Sequence, residues 1–403
     1  MNRKLWTSGY TLLNVMYFAA FCTVHAYAAV FLLYRGFTNT QIGVVLAVAN
    51  ISSALFQPVI AGVIDKGGWL TNRRFILISC LIILAGCVSL RFVSASFSFI
   101  FIVFAIVYMI QFAYQPVLTA LCFEYQKKGC DINYGLSRGL GSAGFAVTSA
   151  FVGRAVEKKG APLLMSVTVV IMIISIIAIW FYRPSDDRVS SGPDDKHEEA
   201  AGPSKTITGF FAAYPAFGLF AVATILFFFS HNMINDFLIQ IVRSCGGSET
   251  ELGYTNFLQA ILELPVMAAS GYILKKVSPS RLLVFSGVAF FVKILILVFA
   301  DSLLWVFVSQ SFQLFAYAVF IPASAYYVST VMADDDQVKG QAYFTSAITI
   351  GGVFSNLVSG VILDRLGIKH MLVTGSAVCL LGVLAAFAAF GLFGKKKVAA
   401  DEA

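Results

Sequence analysis

Twelve long apolar segments, separated by short polar stretches, constrain this 403-residue chain more than any other feature. A helix needs about 20 apolar residues to cross the hydrocarbon core of a bilayer. In lipid, only helices and closed barrels satisfy their own backbone polar groups. Hydrophobic residues make up 59% and charged residues 12% of the chain, against about 45–50% and about 25% in soluble globular proteins. We therefore expect an all-α membrane protein with 12 transmembrane helices.

One hydrophilic stretch divides these segments into two groups of six. It runs from Arg183 to Thr206, is rich in Pro, Gly, Ser, Asp and Glu, and is typical of a flexible linker. We predict an N-terminal six-helix bundle over 1–182, a cytoplasmic linker over 183–211 and a C-terminal six-helix bundle with a short cytoplasmic tail over 212–403. The predicted spans 1 to 12 are 9–33, 40–64, 74–93, 97–126, 133–157, 161–182, 212–242, 250–274, 281–300, 302–332, 338–364 and 370–393.

The distribution of Lys and Arg predicts how the chain is oriented. With the N-terminus inside, 18 of these residues lie in cytoplasmic segments and 8 in external ones. Basic residues favour the cytoplasmic side, so we expect a multi-pass protein of the plasma membrane with both termini in the cytoplasm. This distribution also accounts for the net charge of +7 without a nucleic-acid partner.

A motif of small residues followed by charged ones recurs at the ends of spans 2, 5, 8 and 11. Its copies begin at Ala61, Gly153, Gly271 and Gly360. The interval of three spans indicates a three-helix unit used four times, which is typical of transporters whose two halves, related by a pseudo-two-fold axis, rock about a central site. Small residues let helices approach closely, and the charges that follow could hold helix ends in one conformation.

The loop after span 2 resembles a motif of the major facilitator superfamily. The residues that carry this resemblance are Asp65, Lys66 and Gly68, followed by the basic pair Arg73 and Arg74. The resemblance covers nearly the whole chain and implies two six-helix bundles. It also implies that Asp65, Lys66, Arg73 and Arg74 act as a conformational latch.

Within that superfamily, the segment from Tyr134 to Phe145 is similar to span 5 of the oligosaccharide:proton symporter (lactose permease-like) branch, as is Gln57-Pro58 in span 2. The resemblance implies that Arg138 binds sugar hydroxyls and that Phe145 stacks on the sugar, although a Trp stands there in the branch. Lys293 occupies the place of an Arg near the coupling site. The coupling residues depart from the branch pattern, since Gln313 and Ala316 stand where it has His and Glu.

Nearly all charged residues lie in loops, in tails or at the ends of predicted spans, and five are expected to lie within the membrane: Glu124, Arg138, Asp236, Glu263 and Lys293. A charge at the centre of a spanning helix costs at least about 2.5–3.5 kcal/mol, so these positions are candidates for function. Glu124 and Arg138 flank one turn at similar depth and could form an ion pair in a substrate site. The alternative is that Glu124 lies at the headgroup level beside the lysines that follow it.

Glu263 lies in the middle of span 8. Gln259 is one turn before it on the same face, and Asn256 precedes Gln259 by about one further turn. Pro265 removes a backbone donor and could loosen the helix. We expect Asn256 and Gln259 to bind substrate and Glu263 to carry a proton near Lys293, with a purely structural Glu263–Lys293 ion pair as the alternative.

Span 7 carries a second polar cluster. His231 and Asn235 share one helical face and could bind substrate, while Asp236 is a secondary candidate for proton coupling. The alternative is an outer polar patch near the extracellular end of the span. Gln313 in span 10 could line the same cavity, and packing is an equally good account of it.

These features predict a secondary active transporter that takes up a sugar or oligosaccharide with a proton by alternating access. The first alternative is a proton-driven exporter of amphipathic compounds or drugs, and the remote alternative is a non-transporting receptor. No enzyme motif, cofactor site or metal site stands out. We expect the partners to be a small-molecule substrate, a proton and the lipid bilayer, with the chain acting as a monomer.

Overall fold

The computed structural model describes residues 3–93, 96–183 and 206–401, and no strand occurs among them. In the first half, the helices are Arg3–Phe21 and Ala28–Tyr34 (span 1, joined by a π-helical turn at Cys22–Ala26), Asn39–Asp65 (span 2), Asn72–Phe92 (span 3), Phe97–Lys127 (span 4), Tyr134–Lys159 (span 5) and Pro162–Phe181 (span 6).

The second half repeats this pattern. Its helices are Ile207–Ala213, Pro215–Asp236 and Leu238–Ser244 (span 7), Glu249–Lys276 (span 8), Pro279–Val298 (span 9), Leu303–Ser311 and Tyr317–Val331 (span 10, joined by a 3-10 turn at Phe312–Leu314), Asp334–Arg365 (span 11) and Ile368–Asp401 (span 12). The helix Ile207–Ala213 covers the end of the predicted linker. Residues 184–205 of that linker lie outside the described part of the chain.

Ten described spans are long and apolar enough to cross a membrane when Leu303–Val331 of span 10 is taken as one, and the bent pair of span 1 brings the number to 11. Span 5 is the twelfth long helix at 26 residues, and its glycines, serines and charged residues lower its hydropathy. The all-helical membrane fold is therefore confirmed, with a helix count that is roughly consistent with 12.

The helices form two compact units. The N-terminal unit comprises Met1–Asp194 and Gly247–Ile261, and the C-terminal unit comprises Asp195–Gly246 and Leu262–Ala403. The beginning of span 8 thus packs with the N-terminal unit, where Gly153 of span 5 faces Gly253. A Cβ on Gly153 would lie 3.1 Å from the Gly253 Cα, so only glycine permits this close approach of the two helices.

Equivalent helices pack together in the two units. Span 1 packs on span 5 and span 7 on span 11, span 3 packs on span 6 and span 9 on span 12, and span 3 packs on span 4 as span 9 does on span 10. Spans 2, 5 and 11 also end in the same way. A glycine with a positive φ angle follows the charged end of each helix: Gly67 at 68°, Gly160 at 84° and Gly367 at 83°. Glycine adopts this left-handed conformation without steric cost, which explains the repeated motif in structural terms.

Three spans are broken at positions that the sequence does not mark with Pro or Gly. Span 1 bends by 48° at Tyr27, which follows the π-helical turn. Span 7 breaks at Phe237, and span 10 breaks between Phe312 and Ala316. By contrast, the helix of span 8 is continuous through Pro265, where the sequence suggested loosening.

Close packing between spans 7 and 11 gives a testable prediction. A Cβ on Gly351 would lie 2.5 Å from the Ile225 carbonyl oxygen and 3.0 Å from the Phe228 Cβ. Gly351→Val should therefore lower the free energy of unfolding by about 1–3 kcal/mol through overpacking. Gly271→Val is the control, because nothing lies within 4 Å of a Cβ there. Thermal unfolding of the purified protein measures both, and equal melting temperatures would contradict this packing.

Candidate functional site

A chain of hydrogen bonds joins three of the predicted residues within the C-terminal unit. The Lys293 Nζ donates to the Gln313 Oε1 at 2.7 Å, and the Gln313 Nε2 donates to the Glu263 Oε1 at 2.8 Å. Lys293 is 0% exposed and Gln313 is 3% exposed, whereas Glu263 is half-buried. Spans 8, 9 and 10 therefore meet at an ammonium group and a carboxylate that a single amide connects.

The break in span 10 places Gln313 in this chain of bonds. Gln313 lies in the 3-10 turn, and Ala316 leaves helical geometry at ψ −92°. The Ser286 Oγ of span 9 donates to the Ala316 carbonyl at 2.8 Å, while the Ser309 Oγ donates to the Lys293 carbonyl at 2.7 Å. These side chains fasten the broken segment to span 9, so the Gln313 amide is held in position from two directions.

A second cluster surrounds His231 of span 7. Its ring stacks on Tyr317, the first helical residue after the break in span 10, with centroids 5.3 Å apart and planes at 14°. The Asn235 Nδ2 donates to the His231 Nε2 at 2.9 Å, as their i, i+4 spacing suggests. His231 is 6% exposed, and its Nδ1 makes no hydrogen bond within the described chain. The structure thus joins spans 7 and 10 by an aromatic stack.

Asp236 takes no part in either cluster. It is the last residue of the helix Pro215–Asp236, and its side chain lies beside the Asn356 amide of span 11. Gln310, one turn before Gln313, is 0% exposed, and neither polar atom of its amide has a hydrogen-bond partner among the described residues.

In the N-terminal unit, Arg138 is half-buried on span 5. Its guanidinium lies over the Phe18 ring of span 1 at 4.2 Å from the centroid, and its Nη1 donates to the Ser142 Oγ at 2.8 Å. Gly141 makes this possible, because a Cβ there would lie 2.7 Å from the Phe18 ring. A guanidinium held flat by an aromatic ring keeps donors at its edge for an oxygen-rich ligand.

Aromatic rings from spans 1, 4 and 5 extend this site. Phe21 contacts Phe145 at 6.4 Å between centroids, stacks on His25 at 4.1 Å and meets Phe112 edge-on at 5.6 Å. All four of these side chains are half-buried. We call Phe18, Phe21, His25, Phe112 and Phe145 the N-terminal aromatic cluster. The sequence could not single out Phe18, Phe21 or Phe112 among 38 phenylalanines.

Glu124 has other partners than the predicted one. Its Oε1 forms an ion pair with the Lys128 Nζ at 2.9 Å, and its Oε2 accepts from the Asn72 Nδ2 at 3.0 Å. In the part of the chain that is described, no hydrogen bond or ion pair joins it to Arg138. This geometry agrees with the alternative in which Glu124 lies beside the basic residues that end span 4.

Asn256 and Gln259 lie in the half of span 8 that packs with the N-terminal unit. They are 8% and 7% exposed, and the Asn256 Nδ2 makes no hydrogen bond to a described residue. Gln259 precedes Glu263 by one turn of the same continuous helix. Span 8 thus carries these two amides and the carboxylate at successive turns, three and then four residues apart.

The basic pair of the predicted latch binds within its own unit. The Arg73 Nε and Nη2 donate to the carbonyls of Ile179 and Trp180, at 3.1 and 2.9 Å, and so cap the end of span 6. The Arg74 Nη1 donates to the Trp69 carbonyl at 2.6 Å, and its guanidinium lies over the Trp69 ring.

Asp65, the last residue of the span 2 helix, and Lys66, which follows it, are both exposed. Asp65 borders a cavity of about 360 Å³ between spans 2 and 4, which Gln57 and Asn72 also line. Small residues and the two helix prolines, Pro58 and Pro116, make room for it. A role of Asp65 and Lys66 in switching between conformations stays a prediction.

The Gln313 amide gives a testable prediction about stability. Gln313→Leu should lower the free energy of unfolding by about 1.5–3 kcal/mol, because it removes a hydrogen bond to the buried Lys293 ammonium group. The double variant with Lys293→Met should recover most of that loss, since it removes both polar partners. Denaturation of the three variants measures this coupling. Strictly additive effects would contradict the observed hydrogen bond.

Comparison with known proteins identifies the family. The model of the MFS_1 like family matches residues 9–373, whereas no curated protein sequence is significantly similar to the chain. Similar solved structures include the nucleoside transporter NupG, with a TM-score of 0.76 at 15% identity, covering 98% of this chain and 99% of that one. A bacterial homologue of the human lysosomal transporter Spinster has a TM-score of 0.68 at 12% identity, covering 98% of each chain.

A peptide transporter of the POT family is also similar, with a TM-score of 0.72 at 11% identity, covering 98% of this chain and 97% of that one. Likenesses at these identities show the fold alone. The family model, in contrast, spans nearly the whole sequence. This chain therefore belongs to the MFS_1 like family and is a multi-pass membrane transporter of the major facilitator type, not an enzyme.

Proposed function

We propose that this chain is a symporter that takes up a sugar, or a compound that contains one, together with a proton by alternating access. The chain of bonds from Lys293 through Gln313 to Glu263 carries this proposal. A half-buried carboxylate on span 8 and a buried ammonium group on span 9 are connected there by an amide on span 10 of the same unit. We assign the proton to this carboxylate. A site shared by several helices can respond to rearrangements of any of them.

Protonation of Glu263 is the coupling event in this proposal. While the carboxylate is charged, it accepts the Gln313 amide and balances Lys293 across that amide. When a proton neutralises it, the balance is lost and the amide is free to turn towards another partner. Coupling requires that this change alter substrate affinity, and by reciprocity that substrate change the proton affinity of Glu263 to the same extent.

The substrate site of the proposal uses Arg138 and the N-terminal aromatic cluster. The Arg138 guanidinium is held by Phe18 and Ser142, which leaves N–H donors for sugar hydroxyls. Phe21 and Phe145 supply flat apolar surfaces for the face of a sugar ring. Asn256 and Gln259, which belong to the same unit, are proposed to contribute further hydrogen bonds. His231 and Asn235 of the other unit are proposed as separate substrate-binding groups. We give Glu124 no direct role, because its carboxylate already binds Lys128 and Asn72.

The cluster of several rings favours one substrate class in particular. A nucleoside combines a hydroxylated ribose with a flat base that stacks on aromatic side chains, whereas a simple sugar needs one ring. A nucleoside transporter is among the structurally similar proteins. A nucleoside is therefore the second candidate substrate beside a simple sugar or oligosaccharide.

The proposal also retains the plasma-membrane location, the cytoplasmic termini, the monomeric state and the latch role of Asp65, Lys66, Arg73 and Arg74. Export of amphipathic compounds is the competing function. Right-side-out and inside-out vesicles distinguish the two, because uptake and export move substrate in opposite directions across the same membrane.

Proton movement in proteoliposomes tests the role of Glu263. Adding substrate outside should raise the external pH with the unaltered protein, because each substrate molecule enters with a proton. Glu263→Gln should abolish this alkalinisation, since an amide cannot take up the proton. Asp301→Asn, a change of an exposed carboxylate, is the control and should leave the signal intact. Undiminished alkalinisation with Glu263→Gln would overturn the assignment.

Ligand-induced stabilisation of the purified protein tests the substrate class. Thermal unfolding of the purified protein should shift upward with nucleosides or sugars and not with amphipathic cations. If a base stacks on the aromatic cluster, Phe145→Leu should weaken the nucleoside by about 0.5–1.5 kcal/mol and leave the corresponding free sugar less affected. Phe299→Leu, which alters a side chain that is 76% exposed, is the control. Equal losses for both ligands would argue against stacking of a base.

A further inference from the structure

The end of span 7 holds a polar group that the proposed proton site does not use. Asp236 ends the helix Pro215–Asp236 immediately before the break at Phe237, and its side chain lies beside the Asn356 amide of span 11. One turn earlier, the two spans meet in the same register, because a Cβ on Gly352 would lie 2.9 Å from the Asn232 Nδ2. Asp236 and Asn356 therefore lie at the same level of two packed helices, without a hydrogen bond between them.

Span 11 presents a set of buried polar side chains at this level. Ser355, Asn356 and Ser359 are each 0% exposed, and both serine hydroxyls and both polar atoms of the asparagine amide have no hydrogen-bond partner among the described residues. Buried polar groups are nearly always hydrogen-bonded. Three such side chains within five residues of one helix indicate that a ligand completes their bonding.

The break in span 7 adds main-chain oxygens to the same place. The Phe237 N–H, which would normally bond to the Met233 carbonyl, makes no backbone hydrogen bond in the described structure. The Gln240 N–H bonds to the Phe237 carbonyl at 3.1 Å instead of to that of Asp236. The carbonyls of Met233 and Asp236 therefore lack their usual helical partners. Broken helices in transporters expose carbonyls to ions in this manner.

The chemistry of these groups selects a cation. Every available acceptor is an oxygen: the Asp236 carboxylate, the Asn356 amide oxygen, two hydroxyls and two carbonyls. Hard cations prefer oxygen ligands. The single carboxylate balances one positive charge, whereas a divalent ion would keep an uncompensated charge in an apolar bundle. A proton would satisfy the carboxylate and leave the serines and asparagine without partners.

We propose that Asp236, Asn356, Ser359 and the carbonyls at the break of span 7 bind a sodium ion. The site shares no residue with the chain from Lys293 to Glu263, and it binds sodium whether or not that chain carries a proton. Sodium bound there links span 7 to span 11 across the break. It stabilises the C-terminal unit in the arrangement that the structure has.

Thermal unfolding of the full-length purified protein tests this site without any transport substrate. Sodium chloride should raise the melting temperature with saturation, compared with potassium chloride and choline chloride at equal ionic strength and pH 8. Asp236→Asn keeps the shape of the side chain and removes its charge, so the half-saturating sodium concentration should rise by at least about tenfold. Asp301→Asn should leave the sodium response unchanged.

Ser359→Ala provides a mild second variant, because it removes one hydroxyl and creates no new charge. This variant should fold. Its sodium affinity should be lower than that of the unaltered protein, and the loss should be smaller than the loss caused by Asp236→Asn. Binding of radioactive sodium to both variants provides the direct measurement. If Asp236→Asn does not fold, Ser359→Ala decides alone.

An equal response to sodium, potassium and choline overturns the proposal, as does an unchanged sodium response in Ser359→Ala and Asp236→Asn. These outcomes are independent of the proton site. If Glu263→Gln retains full alkalinisation while sodium still stabilises the protein through Asp236, the coupling assignment fails and the sodium site stands. If Glu263→Gln abolishes alkalinisation while sodium has no specific effect on the melting temperature, the coupling site stands and the sodium site is excluded.

Discussion

A lysine that is fully enclosed by membrane helices sets the arrangement of the C-terminal unit. The Lys293 ammonium group needs an acceptor and a compensating negative charge, because an unpaired buried charge is costly. Span 10 supplies the acceptor by breaking its helix at Gln313, and span 8 supplies the charge with Glu263. Ser286 and Ser309 then satisfy the main chain around the break and around Lys293. One charge thus accounts for contacts on three spans.

The other two breaks lie in equivalent spans of the two units. The π-helical turn of span 1 contains His25, which stacks on Phe21 of the aromatic cluster. The break of span 7 follows Asp236. None of the three breaks occurs at a proline, while the helices that contain Pro58, Pro116, Pro265 and Pro322 remain continuous. Departures from helical geometry therefore accompany the polar residues of the membrane interior.

The fold could be predicted from apolar run length, because a spanning helix has a fixed minimum length and polar turns bound it on both sides. Most observed helices begin and end within a few residues of the predicted spans. The cost of burying a charge in lipid likewise identified Glu263, Lys293, Arg138 and Asp236 as candidates for function. Partners were harder to predict: Gln313 as a bridge, Phe18 beneath Arg138 and Asn356 beside Asp236 depend on helix packing and on breaks that no residue type marks.

The central claim is that Gln313 transmits the state of Glu263 to Lys293 and so couples proton and substrate. Substrate exchange across a membrane without a proton gradient requires alternation but no net proton release, whereas concentrative uptake requires both. We therefore predict that Gln313→Leu retains exchange and loses uptake driven by a pH gradient. Equal losses of exchange and of gradient-driven uptake, or retention of both, would contradict the claim.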